Sequence, residues 1–361
     1  MRKHLILLLT SIVLLSGCQS SFGPSGLSNT HPAYNQTIIN TLNQQMLLNL
    51  VRLKYRDESY FLTISSVTSS LNFTGNIGVN ASMNLLGSNS ISPQLGVSYS
   101  DSPTISYQPL QGEDFLKGIL SPISLESILV MSQSGWDIKR IFGICIERIN
   151  NILNAPRASG PAPAIEPEYK KFKALLDLFK EFQYKGRIEI GPSAFDNKKL
   201  VMMFKTNTAN KNMLSRLANL LNFTITDNGK VYIELTNNFI NTDTDKMAIR
   251  TRSISSVLFY LSQGIDIPED HIEEGLVTIT KTKSGSNFNW ANTPAGSAFK
   301  VKVSYFYPDN AFIAVNYRNH WFYIEDSDLN SKSTFMLLTQ LFDLQAGQSS
   351  YSAPTLTLPV R

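Results

Sequence analysis

The sequence predicts an α+β protein in which a helical N-terminal domain carries a long amphipathic β-hairpin and a mixed α+β domain follows. Three observations carry this reading. Between Glu58 and Asp101 no residue is charged, and most of that stretch alternates apolar and polar. Apolar residues recur at helical spacing on either side of it, over 34–55 and 136–153. After residue 167 short helix and strand patterns interleave, separated by turn-forming residues.

The elements follow in chain order. Arg2, Lys3 and His4 precede an apolar run, Leu5 to Leu15, that is too short to span a bilayer and has the layout of an export signal. Residues 1–17 are therefore expected to be removed, and the Ser-, Gly- and Pro-rich residues 18–33 read as a flexible tether. Ile38, Leu42, Met46, Leu50 and Leu53 mark a helix over 34–55, with Arg52, Lys54 and Arg56 near its C-terminal end. The hairpin, residues 61–108, comes next. Its first arm places Leu71, Phe73, Ile77, Val79, Ala81, Met83 and Leu85 on one face, and its second places Ile91, Leu95, Val97 and Tyr99 on the matching face. Asn, Ser, Thr, Gln and Gly fill the other face.

Beyond the hairpin, Glu113 to Leu120 reads as a short helix, and Ser124 as the N-cap of another reaching Met131 or so. Trp136 to Leu153 reads as an amphipathic helix packed on 34–55, with Cys145 as a small core residue. Pro156, Pro161 and Pro163 make 155–167 a linker, and the domain boundary is placed there, between 34–154 and 168–347. The second domain is expected to hold helices at 168–184, 210–221, 254–261 and 331–344. Its strands are expected at 187–190, 200–205 and 276–280, with a hairpin at 223–235 about Asn228-Gly229 and a meander through 299–307, 311–317 and 320–325. Residues 348–361 read as an extended tail able to add a strand to a neighbouring sheet.

Leu15-Ser16-Gly17-Cys18 resembles the lipobox of bacterial lipoproteins. The resemblance implies cleavage before Cys18, whose thiol carries a diacylglycerol, so that acyl chains such as palmitate hold the protein to membrane lipid. Gln19, standing where inner-membrane lipoproteins carry aspartate, implies the outer membrane, with the body facing the periplasm. Two or more acyl chains suffice for stable anchoring, at roughly 0.8 kcal/mol per buried methylene. The order of elements between Arg187 and Leu235 is similar to small ring-building domains of envelope secretion machines. Val315 to Ser333, with Asn316-Tyr317-Arg318 and Trp321-Phe322-Tyr323-Ile324, resembles uncharacterised proteobacterial lipoproteins.

Composition excludes some functions. Without Arg2 and Lys3, the 32 basic side chains fall to 30 against 28 acidic ones, which leaves no basic footprint for nucleic acid. With Cys18 acylated, Cys145 has no disulfide partner. His31, His271 and His320 are far apart in sequence with no ligand spacing, so neither a metal nor a cofactor is expected. No phosphate loop, nucleophile elbow or Cys/His pair is present, and an enzyme is not expected. Asp266, Glu269, Asp270, Glu273 and Glu274 read as a solvated helix start, and as the place for an envelope hydrolase if there is one. Tyr305-Phe306-Tyr307 and Trp321-Phe322-Tyr323 read as cross-strand sheet packing in preference to a ligand site.

The hairpin carries the functional expectation. Each arm exceeds the ~9 to 11 residues that a tilted membrane strand needs. Two strands alone leave open edges in lipid, whereas bacterial barrels have roughly eight or more strands, so about four or more subunits must share one barrel. The chain is thus expected to be an outer-membrane lipoprotein and a structural subunit of an oligomeric pore or secretion-type assembly, as a homo-oligomer or with other envelope proteins. This strategy resembles that of multimeric lipoprotein secretion channels. The alternative is a periplasm-facing accessory or scaffold lipoprotein whose ribbon covers its own helices and never inserts.

Overall fold

The computed structural model describes residues 24–82, 90–194, 196–205, 207, 211–223, 230–239 and 246–346. Within them the chain is α+β, with ten α-helices and eleven strands in three sheets. Helix α1 spans Pro24–Lys54, so residues 24–33, expected in the flexible tether, form its first turns, with Pro32 inside it. It ends where Arg56 adopts φ +62° and the Asp57 N–H returns to the Arg52 carbonyl at 2.9 Å, a left-handed helix stop.

Strands β1 (Leu62–Ser82) and β2 (Ser90–Pro109) make an antiparallel two-stranded sheet of their own. Phe73 lies opposite Tyr99, Ile77 opposite Leu95 and Ala81 opposite Ile91, while Asn72 lies opposite Ser100 and Thr74 opposite Ser98. Directly opposed residues share a face, so the register matches apolar to apolar at these positions. One irregularity makes this possible. The apolar positions of β1 change phase, from Leu62 and Ile64 to Val67, Leu71 and Phe73, whereas those of β2 keep one parity throughout. The register slips between Ile64 and Ser66, so Ser65 is the extra residue of a bulge that absorbs the change, its hydroxyl donating to the Ser106 carbonyl at 3.1 Å.

Helices α2 (Glu113–Leu120) and α3 (Leu125–Gln133) stand where the sequence places them, and the Ser124 hydroxyl caps α3 by accepting the Ser127 N–H. Helix α4 (Ile138–Cys145) is shorter than its pattern suggests. The chain turns at Cys145 into β3 (Ile146–Ile149), and Asn150, at φ +48°, starts a two-residue turn into β4 (Ile152–Leu153). Ile149 and Ile152 fall at helical spacing by coincidence, and β-branched residues beside an Asn-Asn turn favour the hairpin. Helix α4 packs mainly on α5 (Lys170–Tyr184), with Phe142 edge-on to Phe179 at 5.7 Å, and not on α1 as expected. Helix α1 packs on α7 (Ile254–Ser262) and on β10 (Ala311–Tyr317).

The largest sheet adds β5 (Ile188–Pro192), β6 (Leu200–Lys205), β7 (Lys230–Thr236) and β8 (Lys246–Thr251) in the order β4-β3-β8-β7-β6-β5, parallel only between β7 and β8. Helix α6 (Lys211–Leu221) follows β6. The arm expected before the Asn228-Gly229 turn lies mostly outside the described residues, as does the tail. Because β3 and β4 join strands from beyond residue 187, the sheet does not divide at the Pro/Ala segment. That segment is packed in: Ala155 and Ala158 are buried, and Pro156–Ser159 forms a 3-10 turn.

Arg252, 1% exposed, holds the segment down. Its guanidinium donates to the carbonyls of Ile146 at 2.7 Å and Ala155 at 3.2 Å, to that of Asn154, and to the Ser159 hydroxyl at 3.1 Å. It also lies over the Tyr260 ring at 4.1 Å, and Ser159 in turn donates to Glu147.

The remaining elements are α8 (Glu269–Glu273), α9 (Pro294–Ala298), β9 (Lys302–Ser304), β10, β11 (His320–Glu325) and α10 (Leu329–Ala346). The strand expected at 276–280 does not form; Lys281 alone makes single bridges, to Ile165 and Asn287. The expected meander is also rearranged, for the order is β10-β11-β9 with β11 in the middle. Arg318 and Asn319, at φ +49° and +64°, make the tight turn that pairs β10 with β11, and β9 takes the far edge.

Arg252→Ala strands several buried carbonyls at about 1–3 kcal/mol each, so an unfolding free energy lower by about 3 kcal/mol or more is expected in urea denaturation. Arg250→Ala, which removes an exposed side chain from a 3.9 Å pairing with Glu147, is expected to cost less than about 1 kcal/mol.

Candidate functional site

Two features with functional potential meet at the C-terminal half of α1. The first is the root of the ribbon. On one edge, the Asn49 amide donates to the Tyr60 carbonyl at 2.8 Å and accepts the Tyr60 N–H at 3.0 Å. One helical turn earlier, the Gln45 amide does the same for Leu62, at 3.0 and 2.8 Å. The two side chains thus act as a strand for the edge of β1. Between them Phe61 points the other way, its carbonyl accepting the Leu110 N–H and its ring buried against Phe342 at 4.7 Å. Beyond this root the two strands pack chiefly on each other.

Of the residues expected to face lipid, Leu71, Phe73, Ile77, Val79, Ala81, Ile91, Leu95, Val97 and Tyr99 lie on the paired strands at positions of one parity. Met83 and Leu85, and the expected lipidation site Cys18, lie outside the described residues. Asp101 falls opposite Leu71 on the same register, with Pro93 opposite Val79 and Pro103 opposite Ser69.

The second feature is a buried polar cluster that the sequence does not reveal. His271 and His320 are brought together with ring centroids 4.8 Å apart and planes at 75°. Both are buried, at 5% and 7% exposure. Asp270 completes a set whose ligand atoms all lie within 4.8 Å of one another, with its carboxylate 3.7 Å from His320 Nε2. Each imidazole is held through Nδ1, His271 by the Tyr55 hydroxyl at 2.7 Å and His320 by the Arg318 carbonyl at 3.2 Å. The long sequence separation that argues against a metal is bridged because β11 brings His320 beside α8. The only forewarning is that His320 and His271 each lie next to a tight turn or short acidic helix. The other expected acidic residues disperse: Asp266 pairs with Lys300 at 3.2 Å, and Glu274 caps α8.

Around the cluster, Tyr317 donates to Asp57, and Arg318 reaches the same carboxylate at 3.1 Å. The Tyr317 hydroxyl and then Arg318 hold the Asp57 carboxyl below its ordinary value. Burial, then Tyr317, push the Tyr55 phenol upward against the pull of Arg318. The aromatic run 305–307 is not sheet packing as expected: Tyr305, Phe306 and Tyr307 follow β9 and are 70%, 80% and 61% exposed. Tyr305 nonetheless packs edge-on to His320 at 5.1 Å, and Tyr307 to Trp321 at 4.9 Å.

Lys54, one residue before Tyr55, lines a cavity of about 400 Å³ with Gln263, Thr280, Phe288 and Trp290. Lys54 is 6% exposed, and its amine donates to the Gln263 amide oxygen at 3.1 Å. Burial lowers its pKa to about 8. An amine so placed offers a donor, and near its pKa a partly neutral nitrogen, to whatever enters.

The chain matches no known protein family, no curated protein and no solved structure.

Two outcomes are expected. Asn49→Leu leaves the Tyr60 N–H and carbonyl without partners and is expected to lower the unfolding free energy by about 2 kcal/mol or more, and to raise amide exchange at Tyr60 and Leu62. For Lys54, the unfolded amine keeps its proton up to pH 10.5 whereas the folded one releases it near 8. The burial penalty is therefore full below pH 8 and fades between pH 8 and 10.5. Stability of the native protein relative to Lys54→Met is expected to rise across that window by about 3 kcal/mol, measured by urea titrations at a series of pH values.

Proposed function

We propose that this protein is an outer-membrane lipoprotein, anchored through Cys18, that serves as a structural subunit of an oligomeric pore or secretion-type envelope assembly and lends β1 and β2 to a shared barrel. The observation that carries this reading is that the ribbon is a sheet by itself, with apolar residues in register and the outer edge of each strand unpaired along nearly all its length. Strands of 21 and 20 residues reach on the order of 65 Å at roughly 3.3 Å per residue, about twice the hydrocarbon thickness of a bilayer. The position of Asp101 divides that length. Leu71 to Ala81, paired with Ile91 to Asp101, has no charge short of its lower boundary and supplies eleven residues per arm. That matches the ~9 to 11 residues of a membrane strand and leaves 62–70 with 102–109 as a stalk.

In lipid, open strand edges cost several kcal/mol per unpaired group, so insertion requires neighbours on both sides, and identical ribbons of other copies supply them. Pro93 supports a second reading, in which the protein is an accessory or scaffold lipoprotein and the ribbon stays in water, because it removes a ladder donor inside the proposed span.

The test is extraction of the full-length protein from membranes followed by electrophoresis with and without heating. A heat-sensitive oligomer is expected for the native protein. It should be lost in Ile77→Lys and in Val79→Lys, since a lysine on the lipid face costs about 2–4 kcal/mol at the midplane. A native protein that runs as a monomer, or an oligomer indifferent to both lysines, rejects the barrel and leaves the scaffold reading.

A further inference from the structure

We propose that Asp270, His271 and His320 form a binding site for one divalent transition-metal ion of the zinc class. The inference is independent of what the ribbon does. Its first support is composition and proximity: two imidazoles and a carboxylate, with ligand atoms mutually within 4.8 Å, are the donor types that zinc and similar borderline ions take. Two histidines and one carboxylate leave a coordination position for water, and Asp270, whose side chain is 54% exposed, lies on the solvent side where that water enters. Binding at ~2.0–2.1 Å from each donor requires the three atoms to close to about 3.5 Å of one another. Asp270, the exposed member of the set, is the ligand with room to rotate toward the other two.

The second support is orientation. Metal-binding imidazoles have their other ring nitrogen held by an oxygen, which fixes ring position and tautomer. Both histidines meet this condition. The Arg318 carbonyl can only accept, so the 3.2 Å contact places a proton on His320 Nδ1 and makes Nε2, 3.7 Å from the Asp270 carboxylate, the nitrogen open to an ion. In His271 the Tyr55 hydroxyl occupies Nδ1 at 2.7 Å, so Nε2 is the nitrogen left for an ion. Hydrogen bonds and edge-to-face packing of the two rings account for their proximity, but not for a carboxylate set 3.7 Å from His320 Nε2 with all three ligand atoms within 4.8 Å of one another.

The ion would join parts of the fold that otherwise meet through the packing of two imidazole rings and a 3.7 Å pairing. Asp270 and His271 belong to α8, and His320 opens β11. Tyr55, just past the end of α1 and a few residues before the ribbon begins, holds α8 through His271 and packs its ring edge-on to Phe322 of β11.

The experiment uses the full-length protein in detergent, without an affinity tag, stripped with a chelator and titrated with ZnCl₂ by calorimetry and with CoCl₂ by visible absorption. One equivalent of Zn²⁺ is expected to bind, with Co²⁺ giving d–d bands that Zn²⁺ abolishes. Asp270→Ala, which changes an exposed side chain, and His320→Gln are each expected to weaken binding about tenfold or more. Tyr55→Phe keeps the ring but releases His271, and is expected to weaken it by about tenfold through orientation alone. Asp270→Glu should retain binding. Absence of saturable binding, or binding of equal strength in Asp270→Ala, overturns the proposal. Should His320→Gln fail to fold, Asp270→Ala decides the question by itself.

Discussion

The ribbon has a direction because two amides hold one edge of it. A two-stranded sheet is marginal in water and has no inherent orientation relative to the body it leaves. Gln45 and Asn49, one turn apart on α1, present donor and acceptor pairs at the spacing of alternate strand residues and so stand in for a third strand at Tyr60 and Leu62. Phe61, on the opposite side of the backbone, enters the core against Phe342 and Phe115. Backbone pairing on one edge and a buried ring on the other fix both the twist and the exit angle of β1. Everything that the ribbon contributes, inserted or not, depends on that root.

The body to which the root is fixed owes its integrity to a different device. A Pro-rich segment between two helical stretches is ordinarily a place where chains come apart into domains. Here Arg252 reaches out from the end of β8 and satisfies three carbonyls around it, so the segment becomes a wall of the core. The cost of burying a guanidinium is met by those carbonyls, by the Tyr260 ring and, through Ser159, by Glu147. A continuous six-stranded sheet across residues 155–167 follows from this arrangement.

How much of this was legible in the sequence depends on the range of the interaction. Patterns set by neighbours were readable: Ser124 as a cap, the two arms of the ribbon, and helices such as Lys170–Tyr184 lie within a few residues of their expected places. Where one period imitates another the reading failed. Ile149 and Ile152 continued the helical spacing of Ile138, Ile141 and Cys145, and the Asn-Asn turn that overrules them carries no periodicity. Long-range choices were not readable at all. Nothing in Lys302–Ser304 says that its partner is β11 and not β10, and nothing near Asp270 announces a histidine on a strand far along the chain. The bulge at Ser65 sits between these cases, since the phase change of the apolar residues in β1 records it, once the two arms are compared against each other.

Helix α1 gathers these parts into one mechanical unit. Along its last three turns Gln45 and Asn49 face the ribbon and Lys54 faces the cavity beside α7, and Tyr55, just past its end, faces the histidine pair. Its neighbours, α7 and β10, belong to the part of the chain beyond Arg252. A rigid helix transmits displacement along its length, whereas a loop at the same place would absorb it. Any tilt imposed on the ribbon therefore reaches Tyr55 through fewer than four helical turns of buried, close-packed residues such as Leu47, Leu50 and Val51. The same stiffness works in reverse: groups that fix Tyr55, first His271 and then the Asp57, Tyr317 and Arg318 network against its ring, also fix the platform from which the ribbon departs.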